Sequence, residues 1–152
     1  MLLAWASALQ LCQKSGTIMA DQSDPREIIA YEGKQFTIEW YYDKNGDSQA
    51  LEYAEGLDER DRKKLAALLM ALGDLGQLRN KEKFRHEGDK IYAFKPKPHR
   101  FLALFFEGGK VIITNAFTKK KDKLPPGEKT KALNCMKDYQ HRVKAGSYYG
   151  KE

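Results

Sequence analysis

A chain of 152 residues with 41% hydrophobic side chains fits one domain with tails and has enough apolar material for one core. Its 27 Lys and Arg outnumber its 21 Asp and Glu for a net charge of +6, and residues 76–152 hold 19 of the basic and only 8 of the acidic side chains, so an acidic partner, protein or nucleic acid, suits the C-terminal half. Two distant cysteines, Cys12 and Cys135, without Cys-x-x-Cys or Cys/His spacing, argue against a zinc site and a disulfide framework and make a reducing compartment the default.

The chain opens on an apolar run of about a dozen residues, shorter than the roughly 20 that span a bilayer, so no membrane segment is expected. Ala4, Ala6 and Ala8 have the spacing of a signal cleavage site, but no basic stretch precedes them. Met19-Ala20-Asp21 offers a second start, which would leave residues 1–18 as an upstream extension or a docked arm. Residues 21–35 are polar, contain Asp24-Pro25 and read as a lead-in. These features set off residues 1–33 as an extension, 34–145 as the domain and 146–152 as a polar, tyrosine-containing tail.

Residues 36–42 mix β-branched and aromatic side chains and stop at Asp43-Lys44-Asn45-Gly46, a first strand closed by a turn. Leu51, Tyr53 and Ala54 then suggest a short helix broken at Gly56. Asp58 caps a longer one, in which Leu65, Leu68, Leu69 and Leu72 share a face and Arg60, Arg62, Lys63 and Lys64 lie opposite, with Gly73 and Gly76 at its end. Strands follow near 83–86, 91–95, 101–106 and 111–117, the last two joined as an antiparallel hairpin at Gly108-Gly109. Residues 101–106 are apolar on both faces, as in a strand covered on both sides. A basic loop and Pro125-Pro126 lead to a final helix over about 127–145. Strand, two helices, three or four further antiparallel strands and a helix describe a compact α+β domain with helices packed on a curved sheet.

Two segments carry the candidate chemistry. Lys95-Pro96-Lys97-Pro98-His99-Arg100 packs four cationic or titratable side chains between two strands, where the prolines block regular ladder bonds and should hold those side chains at an edge. Thr118-Lys119-Lys120-Lys121-Asp122-Lys123 leaves the last strand, and the Gly108-Gly109 hairpin would bring its start beside Arg100. The two clusters would then form an anion-binding groove suited to a phosphodiester. RNA cleavage by the ribose 2′-hydroxyl needs in-line alignment and fixed cations, with no metal required.

Histidine is the one side-chain type in the cluster that titrates near neutrality, which makes His99 a candidate acid or base. The lysines could share that role only where crowded cations depress their pKa. Plainer readings stand beside these: a lysine run is more often a solvated loop, and a histidine between prolines and a strand is as readily a surface residue. Asp58, Glu59 and Asp61 read as helix cap and first-turn charges. The aromatics Tyr92, Phe94, Phe101, Phe105, Phe106 and Phe117 read as core. His86-Glu87 lacks a His-Glu-x-x-His context, so no metal site is expected.

The ordered set of residues 36–42, 51–56, the Leu65–Leu72 helix, Lys83-Phe84-Arg85-His86, Ile91-Tyr92-Ala93-Phe94-Lys95, Arg100-Phe101, Phe117-Thr118-Lys119-Lys120 and Pro125-Pro126 resembles the HigB-like, phage-associated branch of the RelE/ParE toxin superfamily. The resemblance implies a RelE-like fold and a cytoplasmic, ribosome-dependent endoribonuclease that cuts messenger RNA without metal or cofactor. It also implies a partner antitoxin, usually a helix-turn-helix protein, in a hetero-oligomer with the toxin. Carried over by position, Lys95 corresponds to a catalytic lysine, Arg100 to a phosphate-contacting arginine, and Lys119 to a second transition-state arginine. That last departure removes bidentate phosphate clamping.

Pro125 or Pro126 falls where the family has a late tyrosine, leaving Tyr139, Tyr148 or Tyr149 as substitutes or His99 in its role. Lys95, His99, Arg100 and Lys119 form the expected catalytic set, and Arg85, Lys97, Lys120 and Lys121 the nucleic-acid-binding set. The competing functions are a non-catalytic, gyrase-directed ParE-like toxin and a basic RNA-binding module without cleavage.

Overall fold

The computed structural model describes residues 26–121 and 123–149. The N-terminal apolar run, Cys12 and Met19 lie outside the described residues. A six-stranded sheet runs in the order β1 (Ile29–Glu32), β2 (Thr37–Trp40), β6 (Lys110–Thr118), β5 (His99–Phe106), β4 (Tyr92–Phe94), β3 (Phe84–His86). Helices α1 (Gln49–Glu55) and α2 (Glu59–Leu75) cover one face, and α3 (Pro126–Lys144) covers the other. The expected α+β architecture is the observed one.

Local chemistry accounts for the element boundaries. Ser48 and Asp58 cap α1 and α2, their side chains accepting from the Leu51 and Asp61 amides. Gly76 ends α2 in a left-handed conformation with φ of 82°, a geometry that glycine adopts without steric cost. Pro126 opens α3, where its missing N–H removes no helical bond.

The α2 apolar face, Leu65, Leu68, Leu69 and Leu72, is buried against Ile38, Trp40, Phe94 and Phe101. On the other side Ile91, Leu102 and Leu104 form the layer beneath Ala132 of α3. Burial of each large side chain contributes about 1.5–3 kcal/mol. Phe101, Leu102 and Ala103 are each 0% exposed, as a strand covered on both faces requires.

Three features depart from the expectations. Residues 29–32, assigned to the lead-in, form an edge strand, because the turn at Gly33 folds them back on β2 and buries Ala30 and the neighbouring Ile28. The β2–β6 pair is parallel while every other pair is antiparallel; α1, α2 and β3 to β5 all lie within the connection that makes this geometry possible. In the tail, Tyr148 is only 2% exposed; it stacks with Tyr41, and its hydroxyl accepts from the Tyr42 amide at 2.9 Å.

Candidate functional site

The β5–β6 hairpin aligns the two basic segments as expected: His99 lies opposite Thr118, Arg100 opposite Phe117, and the Lys119 amide donates to the Pro98 carbonyl at 2.8 Å. Alternation along a strand sends neighbouring side chains to opposite faces, so the predicted cluster divides in two. His99 shares a face with Phe101, under α1 and α2, whereas Arg100 shares one with Leu102, on the α3 side. A register shift between Leu102 and Ala103 leaves Thr114 as an extra residue in β6. This bulge resets the phase beyond it, turning Ala116 and Thr118 toward α1 and α2 and Phe117 and Lys119 toward α3.

On the α2 side lies a cleft of about 530 Å³. Lys64, Lys83, Lys95 and Lys97 line it with Asn80 and Glu82, over Ala67, Leu68 and Pro96. Four lysines and one glutamate line it. The Lys97–Glu82 contact, 3.3 Å long between exposed side chains, contributes about 0–1 kcal/mol and leaves the cleft strongly positive. On the α3 side Arg100, Lys119, Lys121 and Lys123 line a narrower slot with Glu87, Leu102 and Phe117. Arg100 is nearly buried there, at 8% exposure. Lys120 is exposed on the loop, and Arg85 is exposed on the edge strand β3.

Lys95 lines the larger cleft, and its ammonium donates to the Lys81 carbonyl at 3.0 Å. Burial, followed by the charges of Arg100 and Arg85, holds this ammonium below the ordinary lysine range.

His99 is fully engaged. Its Nε2 lies 2.9 Å from Asp61 Oδ2, and its Nδ1 lies 2.8 Å from the Tyr53 hydroxyl, which is itself 2.5 Å from Thr118 Oγ1. The bond to His99 holds the Asp61 carboxyl below the usual carboxylate range. An ionised Asp61 accepts from Nε2–H, and in the tautomer that this bond selects Nδ1 is the acceptor for the Tyr53 hydroxyl.

Two helices position the chain. The Gln49 side chain bonds both the amide and the carbonyl of Ala116, pinning the start of α1 to β6. Lys64, 3.5 Å from Asp61, donates to the Lys97 carbonyl and ties α2 to the proline loop. The His99 chain and the lysine cleft are therefore neighbours on one face.

Tyr53, Asp61, Lys64, Lys83 and Asn80 were not among the expected site residues. Asp61 looks like a first-turn helix charge and Lys64 like part of a solvated face, and their partners lie dozens of positions away. The candidate replacements for the family tyrosine sit elsewhere. Tyr139, on α3, and Tyr148 are buried in one cluster, and the Tyr149 hydroxyl donates to Glu39 and accepts from Lys110, at the opposite end of β6 from Thr118. Among the described residues, no three or more His, Cys, Asp or Glu side chains converge as metal ligands, and no helix is long and apolar enough to cross a membrane.

A curved, mostly antiparallel sheet with two helices on one face, a C-terminal helix on the other and a cationic rim at one end defines a compact α+β domain of the RelE-like kind. The sequence profile of the phage-derived protein Gp49-like family (DUF891) matches residues 52–137, more than half of the chain, and the chain belongs to that phage-derived, toxin-like family. The match takes in Tyr53, Asp61, Lys95, His99, Arg100 and Lys119; β1, β2 and Tyr148 fall outside it. No curated protein matches the chain.

Proposed function

We propose that the protein is the toxin of a type II toxin–antitoxin pair and cuts messenger RNA on the ribosome. In this reading the ribose 2′-hydroxyl attacks the adjoining phosphorus, leaving a 2′,3′-cyclic phosphate and a 5′-hydroxyl. The observation that carries it is the meeting of four lysines in one cleft beside the Asp61–His99–Tyr53 chain, which brings phosphate-binding charge and proton-handling groups to the same rim.

Lys64, Lys83 and Lys97 hold backbone phosphates. Lys95, its ammonium made more acidic by its surroundings, protonates the departing 5′-oxygen. Arg100 and Lys119, on the α3 side of the same strand ends, add fixed positive charge to the rim that the flanking backbone crosses. Arg85, Lys120 and Lys121 bind flanking backbone. The partner is an antitoxin, expected to carry a helix-turn-helix domain, that neutralises the toxin by covering this basic rim.

The test is inducible expression of the full chain followed by mapping of transcript ends. Codon-positioned cuts that disappear in Lys95→Ala support the reading. Growth arrest with intact messages and damaged DNA would instead identify a gyrase-directed, ParE-like toxin. Binding of RNA with intact messages and no arrest would identify a non-cleaving module.

A further inference from the structure

We propose that Tyr53 is a catalytic residue, the group that takes the proton from the attacking hydroxyl, and that His99 and Asp61 are positioning residues acting through it. The inference rests on the ribonuclease reading above and supplies the base that reading lacks. Both imidazole nitrogens of His99 are occupied, and its side chain is 14% exposed, so it cannot approach a substrate directly without breaking its own bonds.

Tyr53 provides the outlet. Its ring is held edge-on against His99 and Phe101, at centroid distances of 5.5 Å to each, and its hydroxyl reaches the exposed Thr118 at the end of β6. Asp61, at the other end of the chain, lies 3.5 Å from Lys64, which lines the lysine cleft, so the relay borders that cleft on the α2 side of the sheet. A hydroxyl already sits 2.5 Å from Tyr53 Oη, and the ribose 2′-hydroxyl is a second hydroxyl of the same hydrogen-bonding kind.

The proton count closes. The 2′-hydroxyl gives its proton to Tyr53 Oη while the Tyr53 proton passes to His99 Nδ1, and the resulting imidazolium is stabilised by the ionised Asp61. The 2′-oxygen bonds to phosphorus as the bond to the 5′-oxygen breaks, and that oxygen takes a proton from the Lys95 ammonium. His99 then returns its proton to water, and Lys95 regains one from water. No oxidant, reductant or metal takes part in the balance.

Asp61, bonded to His99, and Lys64, 3.5 Å from Asp61, are the α2 charges at the relay. Neither is altered by chemistry confined to the phenol. The experiment is single-turnover cleavage of ribosome-bound message by the full chain, followed against pH. It compares the wild type with Tyr53→Phe and with a protein carrying fluorotyrosine at position 53, whose phenol is more acidic. Tyr53→Phe is expected to lower kcat by about 10²–10⁴-fold at unchanged KM. Fluorotyrosine, which preserves ring packing and the hydroxyl but changes the acidity of the phenol that both gains and gives a proton, is expected to change the single-turnover rate several-fold.

A wild type that cleaves while fluorotyrosine leaves the rate unchanged overturns the relay and spares the ribonuclease reading. So does a Tyr53→Phe protein with wild-type kcat. A wild type that leaves the message intact overturns both.

Discussion

Lys95 shows how much a single side chain depends on its setting. From sequence it is one of several lysines in a basic stretch, and only the fold supplies the burial and the Arg100 and Arg85 charges that depress its pKa. The sign of the shift matters. A lysine with a lowered pKa loses its proton at a lower pH than an ordinary lysine, so activity that needs the ammonium as an acid should fall on the alkaline side earlier than usual. Arginine retains the charge but remains protonated throughout that range. Lys95→Arg is therefore expected to keep RNA affinity within about twofold, to lower the cleavage rate by about 10²-fold and to remove the alkaline limb. Binding by filter retention and single-turnover rates across pH would measure all three effects, and a variant cleaving at the wild-type rate would exclude Lys95 as the acid. The neighbouring positions divided differently between sequence and structure. Arg100 beside the 118–119 segment was readable from the Gly108-Gly109 hairpin. The partners of His99 were not, because Tyr53 and Asp61 come from helices whose docking angle no local pattern specifies.

Among the elements, α2 meets the β1–β2 turn through two glycines. A Cβ on Gly33 would stand 2.3 Å from the Gly73 carbonyl carbon, and one on Gly73 would stand 2.8 Å from the Tyr31 ring. The Gly73 carbonyl also accepts from the Gln35 and Phe36 amides at 2.7 and 3.0 Å, so the helix backbone caps the turn. This contact explains why Gly73 lies inside α2 although it reads as a helix end in sequence. Gly73→Ala would gain about 1 kcal/mol of helix propensity but has to displace Tyr31, for a net loss of about 1–2 kcal/mol. Gly33→Ala meets backbone, which cannot rotate away, and should cost about 3 kcal/mol or more. Urea denaturation of the two variants checks the order, and a Gly33→Ala protein as stable as the wild type would mean the turn does not pack this closely. The same junction accounts for the missed strand β1. Four residues after a polar stretch carry too little pattern to be recognised, and their place in the sheet is set by the glycine turn and by α2.

At the scale of the whole molecule, the charge asymmetry legible in the sequence acquires a direction. The basic half contributes β3 to β6, whose strand ends gather at one rim, and the larger cleft recruits Lys64 from the acidic half as well. The bulge at Thr114 decides which lysines face which side, and a one-residue change of phase in a strand leaves no mark on composition. Two concavities of like sign on opposite faces of one sheet end make separate claims on a polyanion, and salt dependence can tell them apart. Each cation that neutralises a phosphate of a single strand contributes about 0.7 to the slope of log K against log salt concentration. If RNA follows the α2-side cleft, replacing Lys64 and Lys97 together by alanine should reduce that slope by about 1.4, whereas replacing Lys121 and Lys123 should reduce it by only about 0.7, through Lys121 alone. Titration of a labelled single-stranded RNA between about 50 and 200 mM salt gives the slopes. An unchanged slope in the first pair together with a reduced slope in the second would move the RNA path to the Arg100 side of the sheet. His99 and Tyr53 would then face away from it, and the relay would have no substrate within reach.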